Sequence, residues 1–211
     1  MAIQGDDETD ASREERSETG RVEAFSDGVF AIAITLLVLE LKVPEHEGSL
    51  WSKLLDEWPS FAGYVVSFFI IGIMWVNHHS MFRQFVRSDR PLLFYNLLLL
   101  LWTALIPFPT ALISEYLGDG GTDAKVAEAV YSANLTLAAI AFSLIWAHAV
   151  RHGRLIAQPL GPKEEWRSIA RFSVGTFLYG ATIGIAFLSP GVALGIQFAL
   201  ALYYLFEQVR S

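Results

Sequence analysis

Six apolar stretches, each close to the length of a membrane span, constrain this chain more than any other feature of it. They cover approximately residues 22–43, 59–79, 91–114, 126–150, 169–188 and 191–206. A helix needs about 20 residues to cross a hydrocarbon layer about 30 Å thick. Because the connections between the stretches are short, the sequence predicts an all-α integral membrane protein with six transmembrane helices, packed as one bundle in a lipid bilayer.

The composition narrows the classes of function. Of 211 residues, 53% are hydrophobic and 18% are charged, and the mean hydropathy of +0.40 is high for a soluble domain. The chain has no cysteine and three methionines, which excludes disulfides and thiolate metal sites. No nucleophile elbow, P-loop or HExxH motif occurs, so we expect neither an enzyme nor a cofactor. Without a basic stripe, a nucleic-acid partner is not expected.

The first 20 residues differ from the rest of the chain. They contain seven acids, two arginines and little that is apolar. Such a segment cannot bury a core, and it lacks the basic start and apolar run of a signal peptide. We therefore predict a disordered acidic cytoplasmic tail over residues 1–20 and a six-helix transmembrane domain over residues 21–211.

Lysine and arginine predict the orientation. If the N-terminus is cytoplasmic, twelve of them lie inside and three outside, which favours both termini in the cytoplasm. We expect a multi-pass protein of the plasma membrane. The inside set is Arg13, Arg16, Arg21, Arg83, Arg87, Arg90, Arg151, Arg154, Lys163, Arg167, Arg171 and Arg210, and the outside set is Lys42, Lys53 and Lys125.

The first apolar helix carries acids near both ends. Counted from Arg21 to Lys42 it is long enough to cross with its charged ends at the interfaces. One stripe of its surface holds Phe25, Ile32, Thr35, Leu36 and Leu39, since these follow the spacing of neighbours along a helix face. From the residues alone, the stripe is either ordinary packing or the wall of a pore.

Asp27 lies about 140° around the axis from Ile32, so we expect it to point away from the stripe. We interpret Ser26 and Asp27 as groups that bond to other helices. His78 and His79 are adjacent and point about 100° apart, unlike a pair that shares one zinc ion. A hydrogen-bonded network at the cytoplasmic ends of the first three helices is therefore predicted, and its members are Arg21, Ser26, Asp27, Asn77, His78 or His79, and Asn96.

Two motifs resemble a known family. The pattern Arg21-x-x-x-Phe25-Ser26-Asp27, followed by an apolar run ending in LLVLEL, is similar to the signature of the transmembrane protein 175 family of potassium channels. The segment from Trp75 to His79, WVNHH, is similar to the paired histidines that follow a tryptophan in that family. The resemblance extends from about Arg21 to Ser211 and is closest to the prokaryotic form, with one six-helix unit per chain.

The resemblance implies a function and a site. Four subunits would form a homotetramer around one central pore lined by the first helix, and potassium ions would pass down their gradient. The implied constrictions are Ile32, Leu36 and Leu39, with a hydroxyl layer from Thr35. Rings of apolar side chains gate by dewetting. Because such a ring cannot replace the hydration shell of an ion, we expect only a modest preference for potassium. The motif network would also include Phe25 and Trp75.

Two other functions stay open. A secondary transporter would place its substrate among polar side chains inside one subunit, at Asn96, Asn134 and Gln197. Transporters with inverted repeats show matched broken segments in their two halves, and Pro107 and Pro109 have no counterpart in the sixth stretch. A membrane scaffold without transport is the other alternative.

Overall fold

Within the residues that it describes, the computed structural model forms eight α-helices and two short 3-10 turns. It describes residues 4–41, 43–44 and 49–209, with side chains for all of these except 4–17, 171–172 and 205–209. Lys42 and Arg210 from the charge count lie outside the described residues. The helices are α1 (Gln4–Leu36), α2 (Leu50–Asp56), α3 (Trp58–Phe82), α4 (Arg90–Leu105), α5 (Pro107–Tyr116), α6 (Gly121–Arg151), α7 (Pro162–Leu188) and α8 (Pro190–Val209), and the 3-10 turns are Leu37–Glu40 and Gly153–Leu155.

Five segments are long and apolar enough to cross a membrane, by length and composition, in the part of the chain that the structure describes. They are Glu18–Glu40, Trp58–Phe82, Arg90–Tyr116, Gly121–Arg151 and Pro162–Leu188. The all-helical fold and five of the six predicted stretches are confirmed at this level. The sixth stretch forms α8, whose apolar segment Pro190–Tyr204 is shorter, so a sixth span stays a prediction.

The first helix begins earlier than the sequence suggested. The backbone is helical from Gln4, whereas we predicted disorder over residues 1–20. Extending a formed helix adds one hydrogen bond per residue and avoids the cost of nucleation, so an apolar helix that packs on the bundle can continue into a polar segment. The cytoplasmic placement of that segment is a separate prediction.

The third predicted span is divided into two helices. Helix α4 ends at Leu105 and α5 begins at Pro107, with Ile106 between them. Proline has no backbone N–H and its ring clashes with the carbonyl four residues earlier, so it breaks the hydrogen-bond ladder of a helix. The Ile106 N–H instead bonds the Thr103 carbonyl at 3.1 Å, and the ladder resumes with Thr110 bonding the Ile106 carbonyl.

Two apolar clusters make up the core, and α6 contributes to both. The first contains Phe30 and Leu37 from the region of α1, together with Tyr131 and Leu135 of α6. The second cluster contains buried residues from the last turns of α3, from α4 and from the later half of α6, including Ile145.

A short backbone pairing ties two connections together. Phe85, after α3, pairs antiparallel with Ile156, after α6. The Val86 N–H donates to the Leu155 carbonyl and the Ala157 N–H donates to the Gln84 carbonyl, both at 2.9 Å. These bonds satisfy backbone groups beyond the helix ends and hold the ends of α3 and α6 side by side.

Candidate functional site

Helix α1 has one buried face and one exposed face. Ser26, Phe30, Ala33 and Leu37 are buried against the bundle, and their spacing of three and four residues places them on one stripe. The opposite stripe is open in the single chain, where Ile32 is 62% exposed, Leu36 41% and Leu39 72%. Apolar side chains this exposed mark a surface that faces lipid, a partner or a pore.

The change to a 3-10 turn at Leu37 keeps the stripe aligned. A 3-10 turn has about 3 residues per turn, so side chains three positions apart lie one above the other. Leu39 therefore lies nearly in line with Leu36 on the exposed side of the turn that covers Leu37–Glu40. The structure brings the predicted stripe together on one surface.

Thr35 lies on the same exposed surface with its hydroxyl bound to its own helix. Its Oγ1 donates to the Ile32 carbonyl at 2.9 Å. A hydroxyl group that donates its one hydrogen to a backbone carbonyl can still accept through both lone pairs of its oxygen. Thr35 thus presents an oxygen acceptor between two levels of apolar side chains.

Behind the stripe, three helices are joined by buried polar groups. Asn96 of α4 donates from Nδ2 to Ser26 Oγ on α1 at 2.9 Å, and its Oδ1 lies 2.9 Å from Nε2 of His78 on α3. Ser26 Oγ donates in turn to the Val22 carbonyl at 2.8 Å. Because the amide oxygen can only accept, His78 Nε2 is the donor. We call Ser26, His78 and Asn96 the Ser26 triad.

A second set of contacts lies beside this triad and is more exposed. Trp75 donates from Nε1 to Asp27 Oδ1 at 2.9 Å, and Nδ1 of His79 lies 2.6 Å from Glu23 Oε1. The rings of Trp75 and His79 stack with their centroids 6.1 Å apart. Glu23 was missed by the sequence analysis, although it lies one turn before Asp27 and hence on the same helix face.

The structure does not unite all of the predicted network. Arg21 and Phe25 are exposed on α1, and within the described residues neither is hydrogen-bonded to the Ser26 triad. The Oδ1 atom of Asn77 is buried without a partner among the described groups. His78 and His79 take different partners, Asn96 and Glu23, so the described geometry does not direct the two rings at one point.

The polar residues named for a transporter site have separate partners. Asn134 donates to the Trp102 carbonyl at 3.0 Å, which joins α6 to α4. Gln197 of α8 bonds side chains of α6 and α7, while Asn96 belongs to the Ser26 triad. No described hydrogen bond links any two of these three residues, so they do not form one site by direct contact.

A polar contact also closes the start of α4. Asp89 caps that helix by accepting from the Leu92 N–H at 3.0 Å, and both of its oxygens lie 3.0 Å from Nε2 of His148 at the end of α6. Partial burial alone would raise the pKa of the Asp89 carboxyl, but the Leu92 N–H and the His148 ring outweigh it, so the pKa lies below its ordinary value of 3.8.

Comparison with known proteins gives consistent matches. Residues 21–107 match the family model described as endosomal/lysosomal potassium channel TMEM175. The chain is 49% identical to a potassium channel of Streptomyces collinus over 92% of this chain and 94% of that protein. It is 44% identical to a potassium channel of Chamaesiphon minutus, over 90% of this chain and 95% of that one. The crystal structure of a lysosomal potassium-selective channel TMEM175 homolog from Chamaesiphon minutus superposes with a TM-score of 0.80 at 42% identity, covering 90% of this chain and 98% of that chain.

Proposed function

The chain belongs to the TMEM175 family of potassium channels, and on that premise we propose that it forms a homotetramer in which four copies of α1 surround one pore. It is a membrane-embedded potassium channel subunit, not an enzyme, and potassium ions pass through it passively.

The observation that carries the proposal is the two-faced character of α1. Its buried face is fully used by contacts within the subunit, while Ile32, Thr35, Leu36 and Leu39 stay exposed on the other side. One helix cannot enclose a channel, so a path along this stripe requires further copies of the chain. A closed ring of like subunits is the common solution for such an interface.

The apolar side chains of the α1 stripe are suited to closing an ion pore. Rings of isoleucine and leucine at a narrow point wet poorly, so a small change in radius switches conduction by dewetting. Hydrocarbon cannot replace the hydration shell of an ion, but a ring of Thr35 oxygens can replace part of it. Because potassium sheds water at a lower energetic cost than sodium, the layer would give a modest preference for potassium.

The contacts behind α1 would position the stripe. The Ser26 triad fixes α1 to α3 and α4, and the Trp75 and His79 contacts hold Asp27 and Glu23 on the same side. We assign these residues a positioning role, in which they set the rotation of α1 about its axis. Arg21 and Phe25 of α1 and Asn77 of α3 would belong to the same cytoplasmic end of the bundle.

The proposed placement is the plasma membrane, with α8 as the sixth span. The count of twelve positive residues inside against three outside supports cytoplasmic termini. Residues 1–20 would then project into the cytoplasm ahead of the channel domain of residues 21–211.

A cysteine scan tests the pore role directly, since the chain has no native cysteine. We expect a positively charged thiol reagent to block potassium flux from proteoliposomes carrying Leu36→Cys or Leu39→Cys. The matched control is Leu188→Cys on α7, a leucine that is 83% exposed and should tolerate labelling without block. Equal sensitivity of the three variants would contradict the pore assignment.

The assembly and the mechanism have their own tests. Images of particles along the membrane normal are expected to show four subunits, and a strictly monomeric particle in lipid would overturn the proposal. Flux through a pore dissipates a potassium gradient rapidly, whereas a carrier saturates and turns over slowly. Saturable exchange would favour the transporter alternative, and no flux at all would favour a scaffold.

A further inference from the structure

A fully buried carboxyl group lies inside the subunit, among helices that do not include α1. Glu128 of α6 has a relative exposure of 0%, as do Ser132 of the same helix, Thr182 of α7 and Gln197 of α8. Acidic side chains within membrane helices are rare and energetically costly, and they usually mark a functional group. This cluster has no part in the proposed ion path.

The hydrogen bonds that the cluster donates to the carboxyl group reach only one of its two oxygens, Oε1. Gln197 Nε2 lies 2.8 Å from Glu128 Oε1, 2.7 Å from Ser132 Oγ and 3.1 Å from Thr182 Oγ1. Ser132 Oγ donates to the same Oε1 at 3.3 Å. Thr182 Oγ1 has the Tyr179 carbonyl as an acceptor at 2.6 Å. Thus Oε1 accepts from the Gln197 amide and the Ser132 hydroxyl.

Two oxygen atoms are left without a donor. Glu128 Oε2 and Gln197 Oε1 are both buried, and neither has a hydrogen-bond partner among the described groups. They belong to the two side chains that the 2.8 Å bond joins. Buried polar atoms are nearly always paired, so two acceptors without donors on side chains that bond each other indicate a hydrogen that the protein itself does not supply.

No positive side chain compensates the carboxyl group in the described structure. Lys125 lies one turn earlier on α6, and no ion pair joins it to Glu128 within the described residues. The ionisable groups around the cluster are phenols: Tyr131 on α6, Tyr179 on α7 and Tyr204 on α8. A bare carboxylate here would be a buried charge with neutral partners only, which is strongly unfavourable.

We propose that Glu128 and Gln197 form a proton-binding site inside each subunit. A proton on Glu128 Oε2 removes the buried charge and turns a partnerless acceptor into a donor, with Gln197 Oε1 as the acceptor on the neighbouring side chain. The site ties α6 to α8 through an acid and amide pair and is separate from the α1 stripe. It therefore stands whether or not α1 lines the pore.

Infrared spectroscopy of the full chain in lipid tests the site, because a protonated carboxyl group has a carbonyl stretch distinct from that of a carboxylate. At neutral pH we expect this band in the wild type and in the control Glu115→Gln, an exposed acid, and its loss in Glu128→Gln. Labelling with carbon-13 glutamate should shift the band, which distinguishes Glu128 from aspartates. A wild-type spectrum without the band, or a band unchanged in Glu128→Gln, would overturn the proposal.

A second variant covers the case in which Glu128→Gln does not fold. Gln197→Leu removes the amide partner, so the carbonyl band should move in frequency because its hydrogen bonds have changed. A band at the wild-type position in Gln197→Leu would contradict the pairing. A carboxylate that is unprotonated at neutral pH, with a melting temperature that rises with sodium chloride but not with choline chloride, would assign the cluster to a metal cation and overturn the proton site.

Discussion

Asn96 Nδ2 donates to Ser26 Oγ at 2.9 Å, and this bond joins α4 to the buried face of α1. Both side chains are almost fully buried, and the other end of the same amide bonds His78. A single side chain thus connects α1, α3 and α4 at a point directly behind the exposed stripe. In the proposed channel this connection would set the rotation of α1 more than any one apolar contact, because hydrogen bonds are directional and apolar burial is not.

Replacing Asn96 should therefore cost more than replacing a comparable amide elsewhere. Asn96→Leu leaves the His78 Nε2–H without its acceptor and Ser26 without its donor, and we expect a loss of about 1–3 kcal/mol of stability. The matched control is Asn134→Leu, which breaks one bond to a backbone carbonyl. Thermal unfolding in detergent measures both variants, and equal losses would argue against a special role for Asn96.

Shortening the apolar stripe should widen the pore. Leu39→Ala removes most of an exposed side chain at the proposed constriction, so potassium flux from proteoliposomes should rise above the wild-type rate at equal protein density. The control is Leu188→Ala, an exposed leucine on α7 that should leave the rate unchanged. Wild-type flux in well-folded Leu39→Ala protein would remove Leu39 from the pore lining.

The hydroxyl layer makes a separate prediction about selectivity. Thr35→Val keeps the shape of the side chain but removes the oxygen that Thr35 presents beside the stripe. We expect the preference for potassium over sodium to fall, as read from reversal potentials in bilayers. Thr122→Val, near the start of α6, provides the control with the same chemical change. An unaltered reversal potential in Thr35→Val would place selectivity in another part of the path.

The Asp89 contact predicts a pH dependence of stability. Its pKa is lowered in the folded state, so the carboxylate stabilises the fold fully above the ordinary value of 3.8, and this contribution is lost as the pH falls through the folded-state pKa. Asp89→Asn keeps a good helix cap but removes the charge beside His148. The melting temperature of the wild type should exceed that of the variant near neutral pH and approach it in strong acid.

The neighbouring Ser88→Ala serves as the control for Asp89, since it alters the same connection without touching the cap. The difference between its melting temperature and that of the wild type should stay the same at every pH of the acid titration. A constant gap between the wild type and Asp89→Asn down to the most acidic pH would show that the charge does not contribute.

The sequence predicted the elements that follow from local pattern. Hydropathy found the apolar helices, and the helical spacing of Ile32, Leu36 and Leu39 placed them together on the exposed side of α1. Asp27 and Ser26 were expected to bond other helices, and they bond Trp75 and Asn96. Such groupings can be read from sequence because a single helix fixes which of its own residues share a face, while the pore role of the stripe stays a prediction.

Features that depend on contacts between distant helices were harder to predict. Glu128 is surrounded by groups from α7 and α8, and its only sequence signal was an acid in an otherwise apolar segment. The partner of His79 was missed for the same reason, since Glu23 is 56 residues away. The break at Pro107 had a clear local signal, but an apolar run on both sides concealed it.

Both apolar clusters of the subunit contain residues of α6. Tyr131 and Leu135 belong to one cluster and Ile145 to the other, on a single helix of 31 residues. A substitution that loosens α6 in one cluster is therefore expected to weaken its packing in the other as well. Because one continuous helix serves both clusters, we expect the subunit to unfold in a single cooperative transition and not cluster by cluster.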